Sequence, residues 1–133
     1  MTQLRISDAA RFLGVSDDTV RRLIDAGRLS ALRDVSGRAV VDGRELAEHI
    51  RAAAAAPEDR IDVSSSARNR FVGLVTEVVS DRVMSQVEMQ CGPFRVVSLM
   101  SSEAVRELGL EPGAVATAVV KSTSVIIETE RRK

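Results

Sequence analysis

The chain has 133 residues and a formal net charge of zero, from 19 basic and 19 acidic side chains. This length suits one ordinary domain or two small ones, and 44% apolar with 29% charged residues is typical of a soluble globular protein. Aromatic residues make up only 2%, which argues against binding that depends on stacking nucleobases on aromatic rings. Because the net charge is zero, any DNA-binding face must be local.

The residues that usually carry enzymatic or metal chemistry are scarce. Cys91 is the single cysteine, so neither an intrachain disulfide nor a cysteine zinc site is expected, and His49 has no partners at metal-ligand spacing. We therefore expect no enzyme and no bound metal cation. No apolar run is long enough to span a bilayer, and the N-terminus lacks the apolar core of a secretion signal. These features predict a cytoplasmic protein without membrane contact.

Two short helices are predicted near the N-terminus. The first follows Ser7, a suitable N-cap, and ends at Gly14, which adopts the left-handed geometry readily. The second follows the N-cap Ser16 and ends at Ala26-Gly27, with its apolar residues at helical spacing. Two such helices joined by a short turn form a helix-turn-helix pattern.

A small hairpin and a third helix follow. Short extended runs on either side of Ser36-Gly37 predict a hairpin, or wing, and Asp42 caps a helix that Pro57 ends. The runs "ISDAARFLGVSDDTVRRLIDAGRLSA" and "VDGRELAEHI", with the wing between them, resemble the winged helix-turn-helix heads of excisionase and MerR-like proteins. We assign residues 1–56 to this DNA-binding domain and residues 57–65 to a charged, then serine-rich linker.

The resemblance implies that the second helix enters the major groove and that the wing follows the backbone or the minor groove of double-stranded DNA. The DNA-contacting residues that it implies are Asp18, Thr19, Arg21 and Arg22 on the helix and Arg38 on the wing. Arginine can bind guanine with two hydrogen bonds or hold a phosphate. Arginines on a short helix are equally well explained as solvated side chains, but the winged context favours DNA contact.

From about Phe71 the pattern changes to short strands. Alternating apolar residues predict three strands up to residue 100, and Ser101 or Ser102 then caps a short helix that reaches Leu108. Two further strands are predicted at 114–120 and 125–127. The chain is therefore expected to be α+β, with a small winged helix-turn-helix domain followed by an OB-like five-stranded β-barrel.

Three places in this second part put hydrogen-bond donors near strand ends: residues 66–68, residues 101–102 and residues 121–122. A tetrahedral dianion is bound by backbone N–H groups, hydroxyls, a helix N-terminus and cations. Each place alone is weak evidence, because serines in connectors and at helix caps are mostly structural.

The order of these pieces resembles a Mop domain, the small molybdate-binding barrel of the TOBE group. The resemblance rests on Ser66-Ala67-Arg68-Asn69 with Gly73 and Val75, and on the run "SSEAVRELGLEPGAVATAVVKSTSVII". It implies a domain at residues 66–133 whose oxyanion sites lie between subunits, and hence a homo-oligomer. The oxyanion-binding residues that it implies are Ser66, Ala67, Arg68, Ser101, Ala104, Lys121 and Ser122.

The family often has a hydroxyl residue where this chain has Ala104, so only the backbone N–H of Ala104 is available there. Asn69 is expected to fix the entrance of the strand rather than to touch the ligand.

Together the two parts predict a molybdate-responsive, DNA-binding transcriptional regulator, with molybdenum present only as the oxyanion. Tungstate is nearly the same size as molybdate, and nothing in the sequence separates the two. One alternative is a molybdate storage protein whose head is a scaffold, and another is an OB-like barrel that binds oligonucleotides. The scarcity of aromatic residues argues against the oligonucleotide alternative.

Overall fold

The structure is a computed structural model that describes residues 2–131. It divides into two compact units, residues 1–55 and 56–133. Met1 and residues 132–133, which the predicted domains include, lie outside the described residues. The first unit contains β1 (Gln3–Arg5), α1 (Ile6–Leu13), α2 (Asp17–Asp25), β2 (Ala31–Arg33), β3 (Ala39–Asp42) and α3 (Gly43–Ala53).

Three N-terminal helix caps were predicted in the first unit, and two of them are present. The Ser16 hydroxyl accepts the Thr19 N–H at 3.2 Å, and the Asp42 carboxylate accepts the Glu45 N–H at 3.4 Å, so both predicted caps are confirmed. The predicted cap at Ser7 is wrong, because β1 runs directly into α1 and puts Ser7 inside the helix, with Arg5 before it.

The predicted wing is confirmed, and it belongs to a sheet with one strand more than expected. Strands β2 and β3 pair antiparallel on either side of the Ser36-Gly37 turn. Strand β1 adds to the other edge of β3, so that the order is β1-β3-β2. Three residues are too few to show a strand pattern in sequence, and β1 is held by residues nearly 40 positions away.

The core of the first unit fixes which face of α2 remains outside. Val20 of α2 is fully buried, and Leu29 and Leu46 are the largest side chains that pack with it. The small residues Ala9 and Ala10 on α1 let α1 and α2 approach closely. With Val20 inside, the neighbouring Arg21 and Arg22 are left exposed.

The second unit is a curled antiparallel sheet with one helix. Its strands have the order β6-β5-β4-β7, and its core contains Val75, Val87, Met89, Cys91 and Val105. The elements are β4 (Asn69–Ser80), β5 (Met84–Cys91), β6 (Phe94–Ser101), α4 (Ser102–Leu108), β7 (Val115–Val120) and a single 3-10 turn (Ser122–Ser124).

The predicted α+β class with an OB-like second part is confirmed, but the predicted strand at residues 125–127 is wrong. The sheet has four strands, and the residues after the 3-10 turn belong to none of them. Ile126 and Ile127 are 84% and 85% exposed. Apolar residues of high strand propensity form a strand only where a neighbouring strand supplies hydrogen bonds, and none does so here within the described chain.

Candidate functional sites

Three of the predicted oxyanion ligands lie together where β7 ends. Ser66, Lys121 and Ser122 line a cavity of about 190 Å³, together with Thr123. Thr123 was not among the predicted ligands, although a third donor residue directly after Lys121-Ser122 could have indicated it from the sequence. The cavity therefore offers three hydroxyls and one ammonium group.

Arg68 belongs to the same strand end through the register of β4 and β7. Asn69 pairs with Val120 in the outermost pair of the register, so the next residues outward, Arg68 and Lys121, lie at the same strand end, although Arg68 does not line the cavity. The Asn69 side-chain amide donates to the Val120 carbonyl at 3.1 Å, and this fixes the strand entrance as predicted. Among residues 2–131, neither Arg68 nor Lys121 forms an ion pair. We call Ser66, Arg68, Lys121, Ser122 and Thr123 the strand-end group.

Ala67 differs from its neighbours in being buried. Its N–H donates to the Ser65 hydroxyl at 3.1 Å, so this predicted donor already has an acceptor. Ser65, which sequence reasoning assigned to the linker, thus shapes the loop that carries Ser66 and Arg68. The Ser65 hydroxyl keeps its own proton for a further hydrogen bond.

The remaining predicted ligands, Ser101 and Ala104, lie elsewhere in the chain. Ser101 caps α4 and accepts the Ala104 N–H at 3.1 Å, which leaves the Ser101 hydroxyl proton free to be donated. Ser101 pairs with Met84, beside the turn that follows the C-terminal end of the 12-residue strand β4, whereas the strand-end group is at its N-terminal end. We call Ser101 and Ala104 the helix-start group. It does not line the cavity of the strand-end group.

A chain of three serine hydroxyls holds the start of α4. The Ser102 hydroxyl donates to the Asp81 carbonyl at 2.8 Å, so the single proton of Ser102 is used there. Ser85 must then donate to Ser102 (2.8 Å), and Ser80 must donate to Ser85 (2.6 Å). Ser85 and Ser102 are both 2% exposed. The position of the helix-start group therefore depends on buried hydrogen bonds with a fixed direction.

The predicted linker contributes a carboxylate to the sheet. Asp59 accepts a hydrogen bond from Arg70 on β4 at 2.7 Å and another from Thr117 on β7 at 3.2 Å. The hydrogen bond from Arg70 is the main cause of a lowered pKa for Asp59. Since its charge is paired, Asp59 repels an anion near Arg68 less than a free carboxylate would.

The predicted DNA-contacting residues of α2 occupy its exposed and half-buried surface. Thr19 is half-buried, and its hydroxyl lies 3.1 Å from that of Ser16. Arg21 lies 3.5 Å from Asp18, and both side chains are largely exposed. Such a surface pair contributes little stability, so DNA can displace it easily. Within the described residues Arg22 forms no ion pair.

Arg38 of the wing is exposed, but its Nε donates to Asp34 at 3.1 Å. The two terminal NH₂ groups of the guanidinium keep their donors. Arg38 can therefore bind a phosphate without leaving Asp34.

Comparisons with known proteins divide the chain at the same place as its fold. Residues 4–54 match the model of a helix-turn-helix domain, and residues 65–127 match the TOBE domain. Molybdenum-pterin-binding protein 2 of Clostridium pasteurianum is 41% identical over 66 residues, which are 49% of this chain and 97% of that protein. The chain belongs to the family of the molybdenum-pterin-binding proteins.

Beyond this TOBE domain the chain carries the helix-turn-helix domain, so the predicted resemblance to a helix-turn-helix head fused to a Mop or TOBE domain is confirmed. The molybdenum transport protein ModE of Herbaspirillum seropedicae is 32% identical over 72 residues, 53% of this chain and 27% of ModE. The solved structure of MopII from Clostridium pasteurianum is 40% identical and covers 50% of this chain and all of MopII, with a TM-score of 0.47. In the part of the chain that the structure describes, no helix has both the length and the apolar character needed to cross a membrane.

Proposed function

We propose that this protein is a molybdate-responsive, DNA-binding transcriptional regulator. The observation that carries the proposal is that Arg68 and Lys121 lie at one strand end without carboxylate partners in the described chain, and that three hydroxyls lie at the same end. Cations at one strand end repel each other, and a bound anion offsets that repulsion. The second support is the helix-turn-helix domain in the same chain.

The charge at the strand end suits a dianion. Arg68, Arg70 and Lys121 bring three positive charges to this end of β4 and β7, and Asp59 compensates one of them through its bond to Arg70. Two positive charges remain, and they balance the two negative charges of molybdate. The names of the related proteins refer to molybdenum, and this supports molybdate as the ligand.

The donor set also suits molybdate better than other common dianions. Molybdate is fully deprotonated near neutral pH, so all of its oxygens can accept hydrogen bonds from the cations and hydroxyls of the site. Hydrogenphosphate carries a proton, which the two cations cannot accept and which only a hydroxyl oxygen can, so it makes poorer use of the cationic donors than molybdate does. Sulfate is smaller and makes longer contacts. Tungstate has nearly the size of molybdate, and we expect it to bind as well.

We propose that the complete site needs a second copy of the chain. The strand-end group and the helix-start group lie at opposite ends of β4. In a homo-oligomer the Ser101 hydroxyl of one copy can meet the Arg68 and Lys121 cations of another. Anion binding then favours the assembly that joins the two groups, and a change of assembly changes the spacing of the DNA-binding heads.

The intact first unit favours a regulator over a storage protein with a scaffold head. Its helices α2 and α3 have side-chain caps, and its core is closed around Val20, Leu29 and Leu46. The stability of the first unit does not require exposed arginines at positions 21 and 22. DNA contact gives them a role, and storage does not.

Titration calorimetry with sodium molybdate tests the anion site. Wild type should bind molybdate, and Arg68→Ala should lose at least tenfold in affinity because a charge-assisted contact is removed. Arg106→Ala, which removes an exposed arginine in the last turn of α4, is the matched control and should bind as wild type does. The absence of binding heat from wild type would refute the sensing part of the proposal.

Footprinting on the DNA upstream of the protein's own gene tests the regulatory part. Wild type should protect a reproducible site, and the protection should change when molybdate is added. The Arg21→Ala/Arg22→Ala variant should lose protection because it lacks the two exposed cations of α2. Unchanged protection by this variant would show that α2 is not the reading helix.

A further inference from the structure

The turn of the wing is built around one acidic side chain. Asp34 Oδ1 accepts the N–H groups of Ser36 at 2.8 Å and of Arg38 at 2.9 Å, and Oδ2 accepts Arg38 Nε at 3.1 Å. The side chain of Asp34 is only 16% exposed. The backbone of Asp34 adds two more bonds, from its N–H to Arg38 O at 3.0 Å and from Gly37 N–H to its own carbonyl at 2.9 Å.

The arginines on both sides of the turn are fixed by these contacts. Arg33 donates to the Gly37 carbonyl at 2.9 Å, and Gly37 reaches this position with a φ of 79°. Arg38 is held by the Asp34 carboxylate at Nε, which leaves its terminal NH₂ groups free. The two guanidinium groups are thus oriented before any ligand arrives, and less side-chain entropy is lost when they bind.

We propose that Asp34 is a positioning residue that strengthens DNA binding although it carries a negative charge. Its carboxylate holds the wing in the conformation that presents Arg33 and Arg38 to DNA phosphates. This inference rests on the proposed function, because it requires that the first unit binds DNA. The ordinary expectation for an acidic residue near phosphates is the opposite, that its removal strengthens binding.

The sign of the effect therefore separates positioning from simple repulsion. Each phosphate contact contributes about 0.9 to the magnitude of the slope of log K against the logarithm of the salt concentration. At 0.1 M salt this corresponds to a factor of about eight in affinity, since 0.1 raised to the power −0.9 is about 8. If Asp34→Ala releases one of the two arginines, affinity should fall about eightfold and the slope should fall by about 0.9. Asp34→Asn keeps an acceptor for the two backbone N–H groups, so its loss should be smaller.

The measurement is fluorescence anisotropy of a labelled 30-base-pair duplex from the upstream region of the gene, between 50 and 200 mM NaCl. Asp25→Asn is the matched control, because Asp25 is exposed at the end of α2 and no side-chain hydrogen bond or ion pair involves it in the described chain. It should not weaken binding. Asp34→Ala should weaken DNA binding less in an Arg38→Ala background than in wild type, because Asp34 and Arg38 act through one contact.

Unfolding followed by circular dichroism shows whether each variant keeps its first unit, and Asp34→Asn remains informative if Asp34→Ala does not fold. Wild-type affinity and slope in folded Asp34→Ala, or tighter binding, would overturn this inference and leave the proposed function intact. The absence of DNA binding by wild type would overturn both.

Discussion

Replacing Gly73 with alanine should disrupt the packing of β4 against the end of β5 in the second unit. A Cβ at position 73 would lie 2.4 Å from the Gln90 carbonyl oxygen and 2.7 Å from the Cys91 sulfur, whereas ordinary contacts begin at 3.4 Å. The nearest obstacle is backbone, so β4 and β5 must separate by about 1 Å at this point. Overpacking costs about 1–3 kcal/mol, and a backbone obstacle places Gly73→Ala near the upper value.

This cost can be measured by far-UV circular dichroism in urea and by calorimetry. About 3 kcal/mol corresponds to a Tm lowered by about 12–24 °C for a unit of this size. The Gly73→Ala/Cys91→Ala double variant removes the sulfur contact but keeps the Gln90 carbonyl. Measured against Cys91→Ala alone, Gly73→Ala should therefore still cost more than half of what it costs in wild type. A Gly73→Ala protein within about 0.5 kcal/mol of wild type would refute the reasoning, because that change is no larger than for an ordinary surface site.

Two further predictions concern the polar contacts. The direction of the serine chain predicts that Ser102→Ala destabilises the protein most, by about 1–3 kcal/mol, because it leaves the Asp81 carbonyl without its donor. Ser85→Ala and then Ser80→Ala should cost less. Urea unfolding measures this ranking, and equal losses of stability in the three variants would contradict it. Hydrogen bonds, chiefly from backbone N–H groups or an arginine, lower the pKa of four carboxyls in Asp34, Asp59, Asp81 and Glu88. The stability that these carboxyls contribute is fully present above their ordinary pKa values, 3.8 for Asp and 4.5 for Glu. It is lost as the pH falls through their lower pKa values in the folded protein. Stability measured from pH 7 to pH 2 should therefore decline below about pH 4.5, and less so in the variant Asp59→Asn.

Local signals allowed much of this fold to be predicted from the sequence. The caps at Ser16 and Asp42 and the turn at Ser36-Gly37 each depend on residues within a few positions of one another, and each was predicted correctly. The predictions that were wrong depend on distant partners. Strand β1 exists because β3 accepts it, and residues 125–127 have strand-forming side chains without a partner strand in the described chain.

The candidate anion site shows the same limit. Sequence order suggested Arg68 and Lys121, but only the register of Asn69 with Val120 shows that they lie at the same strand end. Sequence could not show that the Ala67 N–H already donates to Ser65, because this bond depends on loop geometry, whereas the bond from the Ala104 N–H follows from a cap at Ser101. Asp59 was given no role in the sequence, since its partners Arg70 and Thr117 belong to strands whose pairing was unknown.

Under the proposed function, the charge of the first unit gives a reason why an anion site and a DNA-binding head belong in one chain. Residues 1–51 hold nine arginines and eight acidic residues, so a single head gains little from nonspecific attraction to DNA. Two heads in one assembly bind together, because the second binds at a high effective concentration once the first is bound. If molybdate joins the strand-end group of one copy to the helix-start group of another, it supplies the second head that a near-neutral domain needs. The fraction of DNA bound should then rise with protein concentration more steeply than for independent heads. A variant that cannot assemble should bind DNA weakly even with an intact α2 and wing.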